Sequence, residues 1–278
     1  MGEGRGEKGT QRGVVGRRRS AAHPRSLPRT DVDWWKHYFD AGYEREYEPL
    51  FDLVEDRRQV ARIVELLELP AGSRVLDLAC GQGRHAHLLA EAGFNVDGLD
   101  LSPYLIARAK ERGTGRTLRY RRGDMRKLPA AWRGRFDAVV NLFTSFGFFA
   151  DARDDARVLR ECARVLKPGG VMLWQGGSRD GVMARFLASD WWTTRDGTMI
   201  AQDRSFDPLT GFLTITSVWQ RKSAVERREH RIRLYTASRM AELMLEAGLV
   251  VEQAWESFTD RPLSRRSSEM LLVARREG

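Results

Sequence analysis

The chain has 278 residues and only two cysteines, Cys80 and Cys162. Two thiols give neither a disulfide framework nor a zinc site. A reducing, cytoplasmic compartment is therefore expected. No apolar run approaches the roughly 18 residues of a membrane helix, so no membrane partner is expected. The five histidines are spread along the chain, and no metal site is expected from them. The phosphate-loop pattern G-x-x-x-x-G-K-[ST] is absent. No apolar central region of a secretory signal follows the N-terminus.

What is present is a sizeable core and an uneven charge. Hydrophobic residues make up 42%, enough for a folded domain, and the net charge is +9. Residues 1–29 hold eight Arg or Lys and two Glu, which puts +6 in the tail and +3 in the other 249 residues. Gly- and Arg-rich and without a hydrophobic stripe, residues 1–30 are expected to be a disordered basic tail. The charge is thus weak support for a nucleic-acid partner.

From residue 57 the chain alternates short apolar runs with amphipathic stretches. In RRQVARIVELLEL, Val60, Ile63, Val64 and Leu67 share one helical face. RVLDL, NVDGLDLS, TLRYRRGD, FDAVVNL and VMLWQG read as strands, separated by helical segments. Ser102 and Pro103 mark the cap and first position of one helix. DDARVLRECARVLKPGG is a further helix with a firm stop. Such alternation implies a parallel sheet covered on both faces. The rhythm changes after residue 177. Residues 197–236 read as three antiparallel strands, and two closing strands follow a helix at SRMAELMLEAG.

The stretch LDLACGQGRH, residues 76–85, puts a glycine-rich turn between the first strand and its helix. That is a nucleotide-binding position. Gly81, Gly83 and Ala86 satisfy G-x-G-x-x-A, and Asp100 lies 19 residues after Gly81, so a dinucleotide is a formal match. Asp77, four residues before Gly81, is what a dinucleotide leaves unexplained. A buried carboxylate needs a partner. It would repel a pyrophosphate and hold an ammonium.

With these residues in place, the chain resembles the class I S-adenosylmethionine-dependent methyltransferases. VLDLACGQG resembles their first motif, D/E-x-x-x-G-x-G, with Ala79 where many members have glycine. The resemblance implies a Rossmann-like α/β fold with a seven-stranded mixed sheet in order 3-2-1-4-5-7-6. Helices cover both faces, and an antiparallel strand insertion follows the fifth strand. It also implies S-adenosyl-L-methionine as cofactor, with S-adenosyl-L-homocysteine as product. By the same resemblance Asp77 takes the methionine amino group, while Gly81 and Gly83 let the loop approach the cofactor. Asp100, followed by Leu101, grips the ribose. Gly123, Asp124 and Met125 lie beside the adenine, with Asp124 on its exocyclic amine. Asn141 and Leu142 lie next to the methionine and the substrate. The implied organisation is a core with N-terminal lid helices over 31–176, a cap over the substrate site at 177–236, and completion of the sheet at 237–278.

Methyl transfer from a sulfonium needs alignment, and a base only where the nucleophile must lose a proton. Cys80 and Cys162 read as packing residues. Tyr38, Tyr43 and Tyr47 are candidates for a lid, with Tyr47 on the cofactor and Tyr38 a candidate catalytic group. His230 is the candidate base. Arg233 is the candidate anchor for an anionic substrate group, and Phe143 and Phe146 are candidates for an aromatic wall. A small-molecule acceptor is expected, since no RNA-binding module and no N/D-P-P-Y/F signature is visible. The alternatives are an RNA or protein methyltransferase, a non-catalytic S-adenosylmethionine-binding regulator, and a nicotinamide-dependent oxidoreductase. Exposed strand edges in the insertion leave room for a homodimer.

Overall fold

Alternate residues of the central strands enter opposite cores. In β1 (Arg74–Leu78), Leu76 and Leu78 pack with α6 (Ala152–Val165) and α8 (Ala237–Glu246), while Val75 packs with α3 (Leu53–Leu67) and α4 (Arg84–Glu91). Both faces are therefore sealed, as a parallel strand requires. A computed structural model describes residues 33–48, 51–194 and 197–278. The basic tail expected at 1–30 lies outside the described residues.

The strands β2 (Asn95–Asp100), β3 (Leu118–Arg122), β4 (Phe136–Asn141) and β5 (Leu166–Gly177) join β1 in parallel. β11 (Glu269–Arg276) runs antiparallel to β5, and β10 (Leu249–Trp255) antiparallel to β11. The order is β10-β11-β5-β4-β1-β2-β3, the mixed seven-stranded sheet expected from the sequence. Local chemistry sets the helix starts. Ser102 accepts from the Leu105 N–H (3.1 Å) to open α5 (Pro103–Arg112), and Asp151 accepts from the Arg153 N–H (2.8 Å) to open α6. One boundary differs from expectation. α6 stops at Val165, and the LKPGG stretch is already strand, entering β5 through a register shift opposite β4.

A second sheet follows α7 (Arg179–Ala184). It has four antiparallel strands, not three: β6 (Ser189–Thr193), β7 (Met199–Phe206), β8 (Phe212–Arg221) and β9 (Ala224–Arg233). β6 is short and mostly exposed, so its sequence carries no burial alternation to reveal it.

Three attachments, among others, set this sheet against the rest. The Arg233 N–H donates to the Gly147 carbonyl (2.7 Å). The Arg233 guanidinium donates to Asp155 (2.6 Å) and to the Phe149 and Ala150 carbonyls (3.2 and 2.9 Å). Before the core, α1 (Trp35–Tyr38) and α2 (Ala41–Tyr47) supply the third. Buried Glu46 of α2 accepts from Tyr38 (3.0 Å) and from Ser217 of β8 (2.9 Å).

Candidate active site

The turn after β1 is built from left-handed backbone at Ala79 (φ 59°), Gly81 (φ 55°) and Gly83 (φ 74°). An alanine at the first of these costs about 1 kcal/mol. The two glycines do different work. A Cβ on Gly81 would meet nothing closer than Leu105 Cδ1 at 4.0 Å, so Gly81 keeps open the cavity it lines. A Cβ on Gly83 would lie 2.4 Å from the Tyr120 hydroxyl, so Gly83 makes room for a tyrosine of the fold.

Two buried acids face this turn. Asp77 is 3% exposed. Burial first, and the neighbouring Asp100 second, push its pKa up to about 7, against the Arg84 charge and a hydrogen bond from the Ala86 N–H. Asp100 is tied down by backbone donors, the Gly81 N–H (3.0 Å) to one oxygen and the Ser102 N–H (2.8 Å) to the other. Burial raises its pKa as well. A cation stands opposite these carboxylates. Arg84, the first residue of α4, is buried, pairs with Asp56 of α3, and lies over the Phe51 and Phe143 rings at 4.3 and 5.0 Å. All three charged groups line one cavity.

The other end of that cavity is formed by Leu101, Gly123, Asp124 and Met125, with Trp35 and Phe149 beside them. Both carboxylate oxygens of Asp124 accept from Arg126, at 3.1 and 2.7 Å. Arg126 in turn lies over Trp35 and Phe149 at 4.9 and 4.5 Å.

A second cavity adjoins the first. Phe39, Tyr43, Phe143, Ser145 and Phe148 line both. Its far wall is the inner face of the four-stranded sheet, with Leu213, Ile215, His230 and Ile232. The shared wall includes a strained turn, since Phe143 and Thr144 are left-handed at φ 53° and 58°. Gln175 holds it by accepting from the Phe143 N–H (2.6 Å) and donating to Glu269 (3.0 Å).

The sequence-selected residues separate under this geometry. Asp77, Ala79, Gly81, Asp100, Leu101, Gly123, Asp124, Met125 and Leu142 line the first cavity. Phe143 lines both, and His230 and Tyr38 line the second. Five other selected residues are placed as follows. Tyr47 lines the second cavity, because its ring stacks on Tyr43 at 4.6 Å on that side. Gly83 serves Tyr120, as above. Asn141 is fully buried and lines neither cavity; its amide donates to the Leu78 and Ser145 carbonyls (2.9 and 3.3 Å), and its Oδ1 has no partner. Phe146 is a core residue against Trp174 and Tyr235, not a cavity wall. Arg233 lines neither cavity, since Asp155 and backbone carbonyls consume its guanidinium.

Arg84, Gln175 and Trp35 were not singled out. Only Arg84 carried a signal, a cation on the first helical turn where the dipole disfavours it. Cys162 is buried in the core, and Cys80 lines the first cavity with a thiol that burial holds protonated.

Residues 75–170 match the family model described as "Methyltransferase domain". The dTDP-3-amino-3,6-dideoxy-alpha-D-glucopyranose N,N-dimethyltransferase of Streptomyces fradiae is 30% identical over 227 residues, 76% of this chain and 87% of that protein. The chain belongs to the class I S-adenosylmethionine-dependent methyltransferases. The ubiquinone biosynthesis O-methyltransferase of Pseudomonas aeruginosa (strain UCBPP-PA14) is 33% identical over 139 residues, 49% of this chain and 54% of that one. Among solved structures, the CcbJ methyltransferase of Streptomyces caelestis shares the fold at a TM-score of 0.72 and 20% identity, covering 81% of this chain and 90% of that one.

The methyltransferase's cofactor is S-adenosylmethionine, and the first cavity fits it. A poorly partnered buried carboxylate at Asp77 suits an ammonium, and the space at Gly81 admits close backbone approach. The two glycines give a test. Gly81→Ala puts a methyl group into the cavity and should weaken cofactor binding by about tenfold or more, with a small loss of stability. Gly83→Ala should instead lower the melting temperature through its clash with Tyr120. Calorimetric titration and thermal melts of both variants check the division. Equal loss of affinity in both would contradict it.

Proposed function

We propose that the enzyme transfers the methyl group to a small molecule held in the second cavity, between the sheet core and the four-stranded cap. The shared wall at Phe39, Tyr43, Phe143, Ser145 and Phe148 carries this reading, because it is where donor and acceptor can meet in line. On this reading Asp77 takes the methionine ammonium, Arg84 its carboxylate, and Asp100 the ribose hydroxyls. Gly123, Asp124 and Met125 border the adenine, and Leu142 borders the methionine. When bound, S-adenosylmethionine supplies a methyl carbon made electrophilic by its sulfonium. The chain's own part is to fix both ends of the donor, exclude water with the α1 and α2 aromatics, and hold the acceptor against the shared wall.

The Streptomyces fradiae relative is named for an amino sugar and the Pseudomonas relative for ubiquinone biosynthesis, both small-molecule chemistry. A cavity with a largely aromatic lining fits such acceptors better than an RNA or protein chain. No helix among the described residues is long and apolar enough to cross a membrane. The experiment is incubation with methyl-labelled S-adenosylmethionine and separate pools of dialysable metabolites, RNA and protein. Label is expected in the dialysable pool. Label confined to RNA or protein would overturn the proposal.

A further inference from the structure

The acceptor cavity is unusual in its charges. Among its described lining residues there is no lysine and no arginine, and the single carboxylate is Glu269, at an exposed position and engaged with Gln175 and Ser257. Beside the aliphatic face of the cap, its walls are rich in rings, Trp34, Tyr38, Tyr43, Tyr47, Phe148 and Phe258 among them. His230 sits within this box, 4.8 Å from the Tyr38 ring and 5.8 Å from the Trp34 ring, and its buried Nδ1 has no hydrogen-bond partner.

We propose that the atom methylated in this cavity is an uncharged amine nitrogen, oriented by an N–H donated to His230. The inference rests on reading this cavity as the acceptor site. Its chemistry follows from what each nucleophile requires. An alcohol or phenol oxygen must lose its proton as the C–O bond forms, so it needs a base or a nearby cation to hold the oxyanion. Among the described lining residues no cation is present, and Arg228 and Arg204, which stand behind the wall, are engaged by Asp40 and Gln202. The available bases are also poor. Burial first, then the charges of Arg228 and Arg204, push the His230 pKa down to about 4, so the imidazole is neutral, with one ring nitrogen able to accept a hydrogen bond, and is a weak base. The Tyr38 hydroxyl donates to Glu46, and burial keeps its proton on.

An amine needs none of this. Its lone pair forms the N–C bond while the C–S bond breaks and the electron pair returns to sulfur. The new alkylammonium then loses its extra proton to water. Aromatic faces stabilise that transient cation as it forms. The lack of cationic side chains disfavours an acceptor with a carboxylate or phosphate beside the reacting atom, since nothing in the cavity would pair it.

The test uses S-adenosylmethionine carrying a carbon-13 methyl and matched acceptors: cyclohexylamine with cyclohexanol, benzylamine with benzyl alcohol, and 3-amino-3-deoxyglucose with glucose. Carbon NMR separates N-methyl from O-methyl products. Label is expected in N-methyl signals only, at a rate that rises with pH as the amine loses its proton. His230→Phe should lower kcat/KM for the amine about threefold to tenfold, the value of one hydrogen bond, with cofactor affinity unchanged. O-methyl product with the paired amine inert would overturn the inference and leave the acceptor-site reading intact. No transfer to any of the six would count against that reading, and the inference would fall with it.

Discussion

Asp77→Asn is expected to weaken S-adenosylmethionine binding by about thirtyfold or more, while the melting temperature of the free protein stays level or rises. The first effect is the loss of one member of a buried charge pair, about 2 kcal/mol or more. The second follows from linkage. Asp77 has its pKa raised from the ordinary carboxylate value to about 7 in the folded protein, by burial and by Asp100. A raised pKa adds stability below the unfolded value, and that stability is lost as pH rises through about 7. Above pH 7 the wild-type protein therefore carries a desolvated charge that the asparagine variant lacks. A variant that simply misfolded would lose both properties together.

The same raised pKa shapes binding. The ammonium needs Asp77 ionised, so affinity should fall about tenfold for each pH unit below about 7. The cofactor's own α-amino group loses its proton near pH 8, which sets the opposite limb. Affinity should then peak between the two, and the acid limb should flatten in Asp77→Asn. Asp100 and Arg84 also face Asp77. A limb that persists in the variant would therefore move the assignment to Asp100. Calorimetric titration from pH 5.5 to 8.5 measures both limbs.

Arg84→Met is expected to be the most damaging single change to stability near the site. Arg84 and Asp56 form a buried ion pair, with side chains 9% and 7% exposed. Removing one partner of such a pair costs about 3–5 kcal/mol, because the other charge is left buried alone. In a chain of this size that is roughly a 10 °C drop in melting temperature. The double variant Asp56→Asn, Arg84→Met should recover most of this loss, since no isolated charge remains. It should not recover cofactor affinity if Arg84 takes the methionine carboxylate. Recovery of both would leave Arg84 a purely structural residue.

The parts of the site readable from sequence were those encoded locally, at the ends of single strands. Asp77, Ala79 and Gly81 sit on one loop, and Asp100 and Leu101 close the next strand, so spacing alone brings them to one edge of the sheet. The same holds for Gly123, Asp124 and Met125 after β3. Residues whose place depends on distant packing were not readable. Arg84 is explained by Asp56, 28 positions earlier on another helix. Arg233 was read as free for a substrate because Asp155, far from it in sequence, is what neutralises it. Phe146 and Phe143 are alike in sequence, but the left-handed turn at Phe143 and Thr144 sends one ring to the cavities and the other to the core. Gly83 fitted the cofactor motif, yet its missing side chain is required by Tyr120 on β3. In each case the local pattern was sound and the deciding neighbour was remote.

The central claim is that donor and acceptor occupy two cavities meeting at Phe143, Ser145 and Phe148. A crystal structure with S-adenosyl-L-homocysteine bound tests it most directly. The account predicts the amino group on Asp77, the ribose hydroxyls on Asp100, and the thioether sulfur facing that shared wall. A sulfur turned away from the second cavity, with the wall closed behind it, would contradict the account.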